Sequence, residues 1–240
     1  MSDSSGLKKH LNQIEKRLDA HYGTPGRLKK ADPLDILIGT ILSQNTNDNN
    51  SYKAFLNLKN AFKSWDEVAE LPRTKIEKLI KTAGLGKQKS AAIKGLLSYL
   101  KNEKGSVTLD HHKKMSDDEI IDEMTSLQGI GLKTTSCLLL FAYGRNVCPV
   151  DTHVHRVLNK TGAVKTSSPD KTYKEIADNL PAERAYHLHT NLLKLGREYC
   201  RPTDPACSEC PINKLCAYKG KEIASGEKRF NDTILLLDAI

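Results

Sequence analysis

A lysine follows two closely spaced glycines in the stretch LQGIGLKTTS, which spans Leu127–Ser136. Gly129 and Gly131 permit a tight turn and a close approach of the backbone to another group. Lys133 then stands at the start of a predicted helix, where free amide N–H groups bind phosphate oxygens. A lysine amine can also act as a nucleophile. The stretch indicates a phosphate contact beside a reactive amine, although the same spacing is typical of a plain turn between helices.

A carboxylate stands before a second helical stretch, PVDTHVHRV, at Pro149–Val157. Asp151 is placed to cap this helix, because an aspartate at the N-cap accepts hydrogen bonds from the second or third helical amide. A capping aspartate alone is ordinary. Its order relative to the glycine hairpin, the lysine and a later group of cysteines makes the combination informative.

Four cysteines fall in one short loop, CRPTDPACSECPINKLC, with the spacing C-x6-C-x2-C-x5-C. Four thiolates this close together can bind a zinc ion or an iron–sulfur cluster, and a disulfide pair is the alternative. Zinc sites more often use two close pairs, so the spacing favours the cluster slightly. The candidate ligands are Cys200, Cys207, Cys210 and Cys216. Cys137 and Cys148 lie elsewhere and are expected to be small buried residues.

Helical periodicity dominates the chain before the cysteine loop, which itself shows little helical pattern. Leu11, Ile14 and Leu18 form one helical stripe, and Asp32-Pro33 is a typical helix start. No alternating strand pattern is present, so we predict an all-α fold. Further helices are predicted at 51–62, 65–70, 74–81, 89–100, 117–126, 133–143, 152–160, 171–179 and 184–198.

The length and composition of the chain narrow the kinds of protein it can be. The chain has 240 residues, 38% of them hydrophobic, and a formal net charge of +8. This length can bury a real core, and the basic charge fits a polyanion such as nucleic acid, as well as a soluble basic protein with no such partner. No apolar run reaches the roughly 18–20 residues of a membrane span, and the N-terminus has no apolar signal core. We therefore expect a cytoplasmic protein with reduced cysteines and no membrane partner.

The sequence resembles endonuclease III, the helix-hairpin-helix base-excision DNA glycosylase with an iron–sulfur cluster. The resemblance extends from about Leu28 to Lys219 and rests mainly on LQGIGLKT, PVDTHVHRV and the cysteine loop, in that order and spacing. ILSQNTND at Ile41–Asp48 and GLGKQK at Gly84–Lys89 support it.

The resemblance implies two helical domains. Residues 32–145 would form a six-helix barrel domain with the helix-hairpin-helix motif. Residues 1–31 and 146–220 would form a second domain with a [4Fe–4S] cluster on the four loop cysteines. The tail 221–240 lies outside the resemblance and has no predicted role.

The resemblance also implies an activity. Lys133 would be the catalytic amine and Asp151 the essential carboxylate of a bifunctional DNA glycosylase and AP lyase. Family members without lyase activity lack this lysine. The expected partner is duplex DNA with a damaged base, most simply an oxidised pyrimidine, or with an abasic site, and the protein is expected to be a monomer.

Several residues are expected to contact DNA by the same resemblance. Gln44 or Asn45 would fill the space left by a flipped nucleotide, Leu85 would be an apolar wedge, and Lys87 and Lys89 would contact phosphates. Gly129, Gly131 and Thr134 would contribute through the hairpin. The chain departs from the usual pattern at Gln128, Leu132 and Asn191.

These departures leave alternatives open. A related glycosylase for mismatched, methylated or oxidised-purine bases shares the fold, and a non-enzymatic DNA-binding protein could use the hairpin and cluster as structure only. Lys133 together with Asp151 distinguishes an enzyme from such a module, because binding alone does not require that pair.

Overall fold

A computed structural model describes residues 4–26, 31–229 and 236–240. Every regular element in these ranges is helical and none is a strand, which confirms the predicted all-α fold. No helix in the described part of the chain is long and apolar enough to span a membrane. Residues 27–30, beside the predicted domain boundary, and 230–235, in the predicted tail, lie outside the described residues.

Twelve α-helices are described, and short 3₁₀ turns separate several of them. They are α1 Ser4–Tyr22, α2 Pro33–Ser43, α3 Asp48–Ala61, α4 Trp65–Ala69, α5 Arg73–Leu79, α6 Gly86–Lys104, α7 Asp117–Thr125, α8 Leu132–Cys137, α9 Thr152–Thr161, α10 Pro169–Ile176, α11 Ala185–Glu198 and α12 Leu236–Ala239.

Backbone contacts divide the chain into two units. The first unit takes Met1–Arg27 and Gly144–Asp232, and the second takes Leu28–Tyr143 and Thr233–Ile240. In the first unit α11 packs on α1 and α9. In the second unit α2 packs on α3, α6 and α8. Each unit therefore joins segments that are distant in the sequence.

Helix α2 forms the centre of the second unit. Asp32 caps it, because its Oδ1 accepts a hydrogen bond of 2.7 Å from the amide of Leu34, as the Asp-Pro start predicts. Residues 36–42 are all buried, so α2 is enclosed on every side rather than along one stripe. It ends at Ser43 and leads directly into Gln44 and Asn45.

The end of the chain packs against this central helix. Leu236 is buried, and α12 contacts α2 and α3. A Cβ atom on Gly39 would overlap the Cδ1 atom of Ile240, so a larger residue at this position of α2 would require the Ile240 side chain to move. The last residues of the tail thus belong to the unit that contains the hairpin.

Among the predicted helix boundaries that differ from the structure, two have clear local reasons. Helix α3 begins at Asp48, three residues before the predicted start, because Asn47 accepts a hydrogen bond of 2.9 Å from the amide of Asn50. The predicted helix at 133–143 ends as α-helix at Cys137 and continues as a π-helix over Leu138–Ala142. Such segments are rare and widen the helix by one residue per turn.

Candidate active site and thiol loop

The glycine hairpin lies between α7 and α8, and its two glycines serve different purposes. Gly129 has φ +86°, and a Cβ there would lie 2.7 Å from the Cβ of Ala92, so conformation and space both require glycine. Gly131 has φ −103°, and an added Cβ would meet nothing within 4 Å. The backbone conformation at Gly131 does not require glycine, but the missing side chain lets another group approach the backbone closely.

Helix α7, before the hairpin, is held by a buried carboxylate. Glu123 accepts hydrogen bonds of 2.9 Å from both Tyr99 and His111, and it pairs with Lys104 at 3.1 Å. Burial would raise the pKa of Glu123, but these donors lower it to about 2. The ionised carboxylate fixes the first helix of the hairpin against α6.

Lys133 is the second residue of α8 and is half-buried. Gly131 is the N-cap of this helix and has no side chain to accept from the first amides, which leaves them available to an anion. Thr134 is buried, and its hydroxyl lies 3.3 Å from Nε2 of Gln44. The hydroxyl of Thr134 is therefore not free to bind DNA, and the predicted contact would have to be made by its backbone amide.

Gln44 and Asn45 differ in their surroundings. The Gln44 side chain donates a hydrogen bond of 3.1 Å to the carbonyl of Gly129, so it connects the end of α2 to the hairpin. Asn45 is exposed and has φ +50°, a left-handed conformation that is uncommon for a residue with a side chain. Of the two predicted gap-filling residues, Asn45 is the one whose side chain is directed to solvent rather than to the hairpin.

The predicted wedge loop lies before α6. Leu85 is 46% exposed and has φ +48°. Lys87 is exposed, as a phosphate contact requires. Lys89 is buried, and its Nζ donates to the carbonyls of Leu42 and Ala83. The prediction that Lys89 contacts phosphate is wrong, because its ammonium is already enclosed and bonded inside the fold.

Asp151 caps α9, which confirms the local prediction. Its Oδ1 accepts a hydrogen bond of 2.8 Å from the amide of Val154, and the residue is half-buried. Burial lowers the pKa of His153, which is two residues away, and the charge of Asp151 opposes that effect. Asp151 belongs to the first unit and Lys133 to the second.

The four loop cysteines line one small cavity in the first unit. Tyr199, Ile212 and Tyr218 are among the other residues of its wall. The four loop thiols are free rather than joined in disulfides. The folded chain thus brings together Cys200, Cys207, Cys210 and Cys216, the four thiols that the spacing singles out.

Two lysines belong to the wall of the thiol cavity. Lys160 and Lys221 lie in its wall, and Lys221 donates a hydrogen bond of 2.9 Å to the carbonyl of Cys216. Burial raises the pKa of Cys200 and Cys207, and it raises that of Cys210 to about 12. A cation-rich wall suits a metal centre with four thiolates, which keeps a net negative charge.

Arg156 is a site residue that the sequence analysis does not single out. Its Nε donates a hydrogen bond of 2.7 Å to the carbonyl of Cys200, and its NH2 donates one of 2.8 Å to the carbonyl of Gly196. Arg156 therefore joins α9, which begins after Asp151, to the start of the thiol loop. Its position within the motif PVDTHVHRV is the sequence feature that could have indicated a role at the site.

A comparison with family models matches residues 38–182 to the HhH-GPD superfamily of base excision DNA repair proteins. The chain belongs to this superfamily. The match includes the hairpin, Lys133 and Asp151, and it ends before the thiol loop.

Relatives within the superfamily agree with this assignment. A putative DNA glycosylase of Arabidopsis thaliana is 36% identical over 75% of this chain, which covers 59% of the plant protein. Endonuclease III of Thermotoga maritima is 31% identical over 81% of this chain and 87% of its own length. A solved structure of a trapped endonuclease III–DNA covalent intermediate has a TM-score of 0.74 at 24% identity, covering 93% of this chain and all of that one.

These comparisons confirm the predicted recognition of an endonuclease III-like HhH-GPD protein. The predicted enzyme class, a DNA glycosylase of base-excision repair, is confirmed with it, whereas the AP lyase activity stays a prediction. The roles of individual residues, the base that is removed and the bound cofactor stay predictions.

Proposed function

We propose that this HhH-GPD enzyme removes an oxidised pyrimidine from duplex DNA and then cuts the strand at the abasic site, with Lys133 as the nucleophile and Asp151 as the essential carboxylate. The observation that carries the proposal is the position of Lys133. It is half-buried in the first turn of the helix that follows Gly129–Gly131, so a phosphate held by the hairpin would set the neighbouring sugar near its amine.

The first step breaks the glycosidic bond. The damaged base must leave the stack, because its sugar is otherwise out of reach. The neutral amine of Lys133 bonds to C1′ while the bond from C1′ to the base nitrogen breaks, and the base leaves with that electron pair and takes up a proton. Positive charge develops at C1′ before the new bond is complete. The carboxylate of Asp151 stabilises that charge.

The second step cuts the DNA. The amine adduct loses a proton as the sugar ring opens, which gives a Schiff base between Lys133 and C1′. Loss of a C2′ proton then expels the 3′ phosphate by breaking the C3′–O bond. Water finally hydrolyses the imine and returns the free lysine.

Four exposed features are proposed to bind the DNA. The open backbone at Gly131 and the free amides of α8 would contact the phosphates on the lesion strand. Asn45 would occupy the gap left by the flipped nucleotide, and Leu85 would be inserted on the opposite strand. Lys87 would contact a phosphate, and the net charge of +8 would add attraction that weakens with salt.

We further propose that Cys200, Cys207, Cys210 and Cys216 bind a [4Fe–4S] cluster. The fit rests on this chain's donor set, since four thiols line one cavity whose wall also holds two lysines. A bound cluster would cross-link the thiol loop and so fix the start of that loop against α9 through Arg156.

Iron content tests the cofactor. Purified anaerobic protein is expected to be yellow-brown and to contain about four irons per chain, because a cubane cluster holds that number. Cys210→Ser should lose both the colour and the iron, whereas Cys148→Ser, a buried cysteine outside the loop, should keep them. One equivalent of zinc and no iron in the wild-type protein would contradict the assignment.

A panel of duplexes, each with one altered base, tests the class of substrate. Thymine glycol and 5-hydroxycytosine are expected to be excised at least about tenfold faster than 8-oxoguanine, 3-methyladenine or a G·T mismatch. A pocket shaped for one base usually favours it over a differently shaped base by about 1–2 kcal/mol in transition-state binding free energy. The measurement is single-turnover base release. Faster release of a purine or of mismatched thymine would replace the proposed substrate class with one of the alternatives that the sequence leaves open.

A further inference from the structure

Lys89 is a charged residue at a core position. It is 1% exposed and lies on the inner face of α6 with Ile93, Leu96 and Leu97. Burying an ammonium group costs free energy unless it is hydrogen-bonded. Burial accordingly lowers the pKa of Lys89 to about 8. A methionine or leucine would fill this space without that cost, so the amine has another role.

The two acceptors of this amine come from two different elements. Lys89 Nζ donates a hydrogen bond of 2.8 Å to the carbonyl of Leu42, in the last turn of α2. It donates a second, of 2.7 Å, to the carbonyl of Ala83, which ends a 3₁₀ turn. Carbonyls at the ends of helical segments lack partners within the segment and attract cations.

Each of these carbonyls lies just before a loop residue with a left-handed backbone. Leu42 is three residues before Asn45, and Ala83 is two residues before Leu85. Asn45 has φ +50° and Leu85 has φ +48°. This conformation is unfavourable for leucine and uncommon for residues with side chains, although asparagine adopts it more readily than most. Such conformations persist only where the surrounding structure fixes them, and they concentrate at functional sites.

We infer that Lys89 is a positioning residue that holds the Asn45 loop and the Leu85 loop together in the conformation that enters DNA. This inference rests on the proposed function of the two loops. Lys89 itself touches neither DNA nor the reacting atoms. It sets the distance between the two loops, because one ammonium group is bonded to the backbone that precedes each of them.

Lys89→Met tests the inference, because it keeps the length and apolar stem but removes both hydrogen bonds. Base release from a duplex with one thymine glycol is expected to fall about 10- to 100-fold, the cost of misplaced positioning groups. The rate of strand scission at a pre-formed abasic site, where no base leaves the stack, should fall by less than about threefold relative to the wild type. Fluorescence of 2-aminopurine placed opposite the lesion should rise on binding of the wild type and not of Lys89→Met.

Lys94→Met is the matched control. Lys94 lies on the same helix and donates to a helix-end carbonyl, that of Ala69, but no proposed DNA-contacting loop follows it. The ratio of the two activities should stay at the wild-type value. If Lys89→Met changes both activities equally, or shifts their ratio no more than Lys94→Met does, Lys89 is a residue of stability only and the inference is wrong.

Two further arms keep the test decisive. If Lys89→Met does not fold, Lys89→Gln, which keeps a shorter neutral donor, is judged by the same ratio and must shift it in the same direction by more than Lys94→Met does. Failure of the proposed function would be visible in the wild type, as absent scission at an abasic site. Failure of the loops' proposed role would be visible in Asn45→Gly and Leu85→Ala, as an unchanged ratio.

Discussion

Borohydride is expected to link the wild-type enzyme covalently to abasic DNA and to give no such product with Lys133→Gln. Reduction traps the imine between Lys133 and C1′, and glutamine keeps a polar, slightly shorter side chain without an amine. The loss should exceed about a thousandfold, because a nucleophile that acts with its partners as a unit cannot be replaced in part. The measurement is the covalent band on a denaturing gel with a labelled duplex.

Two observations make this result specific. Lys101→Gln removes an exposed lysine of the same unit whose only described ion pair is with Glu70, a contact worth little, and should trap like the wild type. Binding of Lys133→Gln to abasic DNA should stay within about threefold of the wild type, since the hairpin amides and not the lysine supply the phosphate contact. A strong covalent band with Lys133→Gln would mean that a different amine is the nucleophile.

The local parts of the site can be predicted from sequence because each depends on neighbours in the chain. Asp151 is followed at once by a helix, and its capping bond to Val154 spans three residues. The Gly129–Gly131 turn needs only that two helical patterns end and begin beside it. The four cysteines lie within one loop, so their convergence follows from short spacers.

The long-range parts of the site could not be predicted in the same way. Gln44 is 85 residues before the carbonyl that it bonds, and nothing in the polar turn SQNTND indicates that partner. Lys89 is an instructive case. Lys89, Ile93, Leu96 and Leu100 share the inner face of α6, so the helical period places the lysine in the core. Giving the residue type more weight than this period led to the incorrect phosphate contact.

Lys133 and Asp151 differ in whether the side chain also has a structural role that a substitution would disturb. Lys133 has no side-chain hydrogen bond among those described, so its replacement removes chemistry alone. Asp151 both caps α9 and carries the proposed catalytic charge. A change at Asp151 therefore needs variants that separate the cap from the charge.

Asp151→Asn is expected to slow base release by about 10²–10³-fold, the usual cost of removing one preorganised electrostatic group. The asparagine Oδ1 still accepts from the amide of Val154, so α9 and the melting temperature should be unchanged. Asp151→Ala should slow base release as much and also destabilise the protein by about 1 kcal/mol through the lost cap. Single-turnover base release on a thymine glycol duplex, with thermal unfolding beside it, measures both effects.

Ser168 provides the control for the cap. It accepts a hydrogen bond of 3.3 Å from the amide of Lys171 at the start of α10, in the same unit as Asp151. Ser168→Ala should destabilise the protein by about 1 kcal/mol and leave base release at the wild-type rate. If Asp151→Asn releases the base as fast as the wild type, the carboxylate only caps its helix, and the positive charge at C1′ must be stabilised by another group.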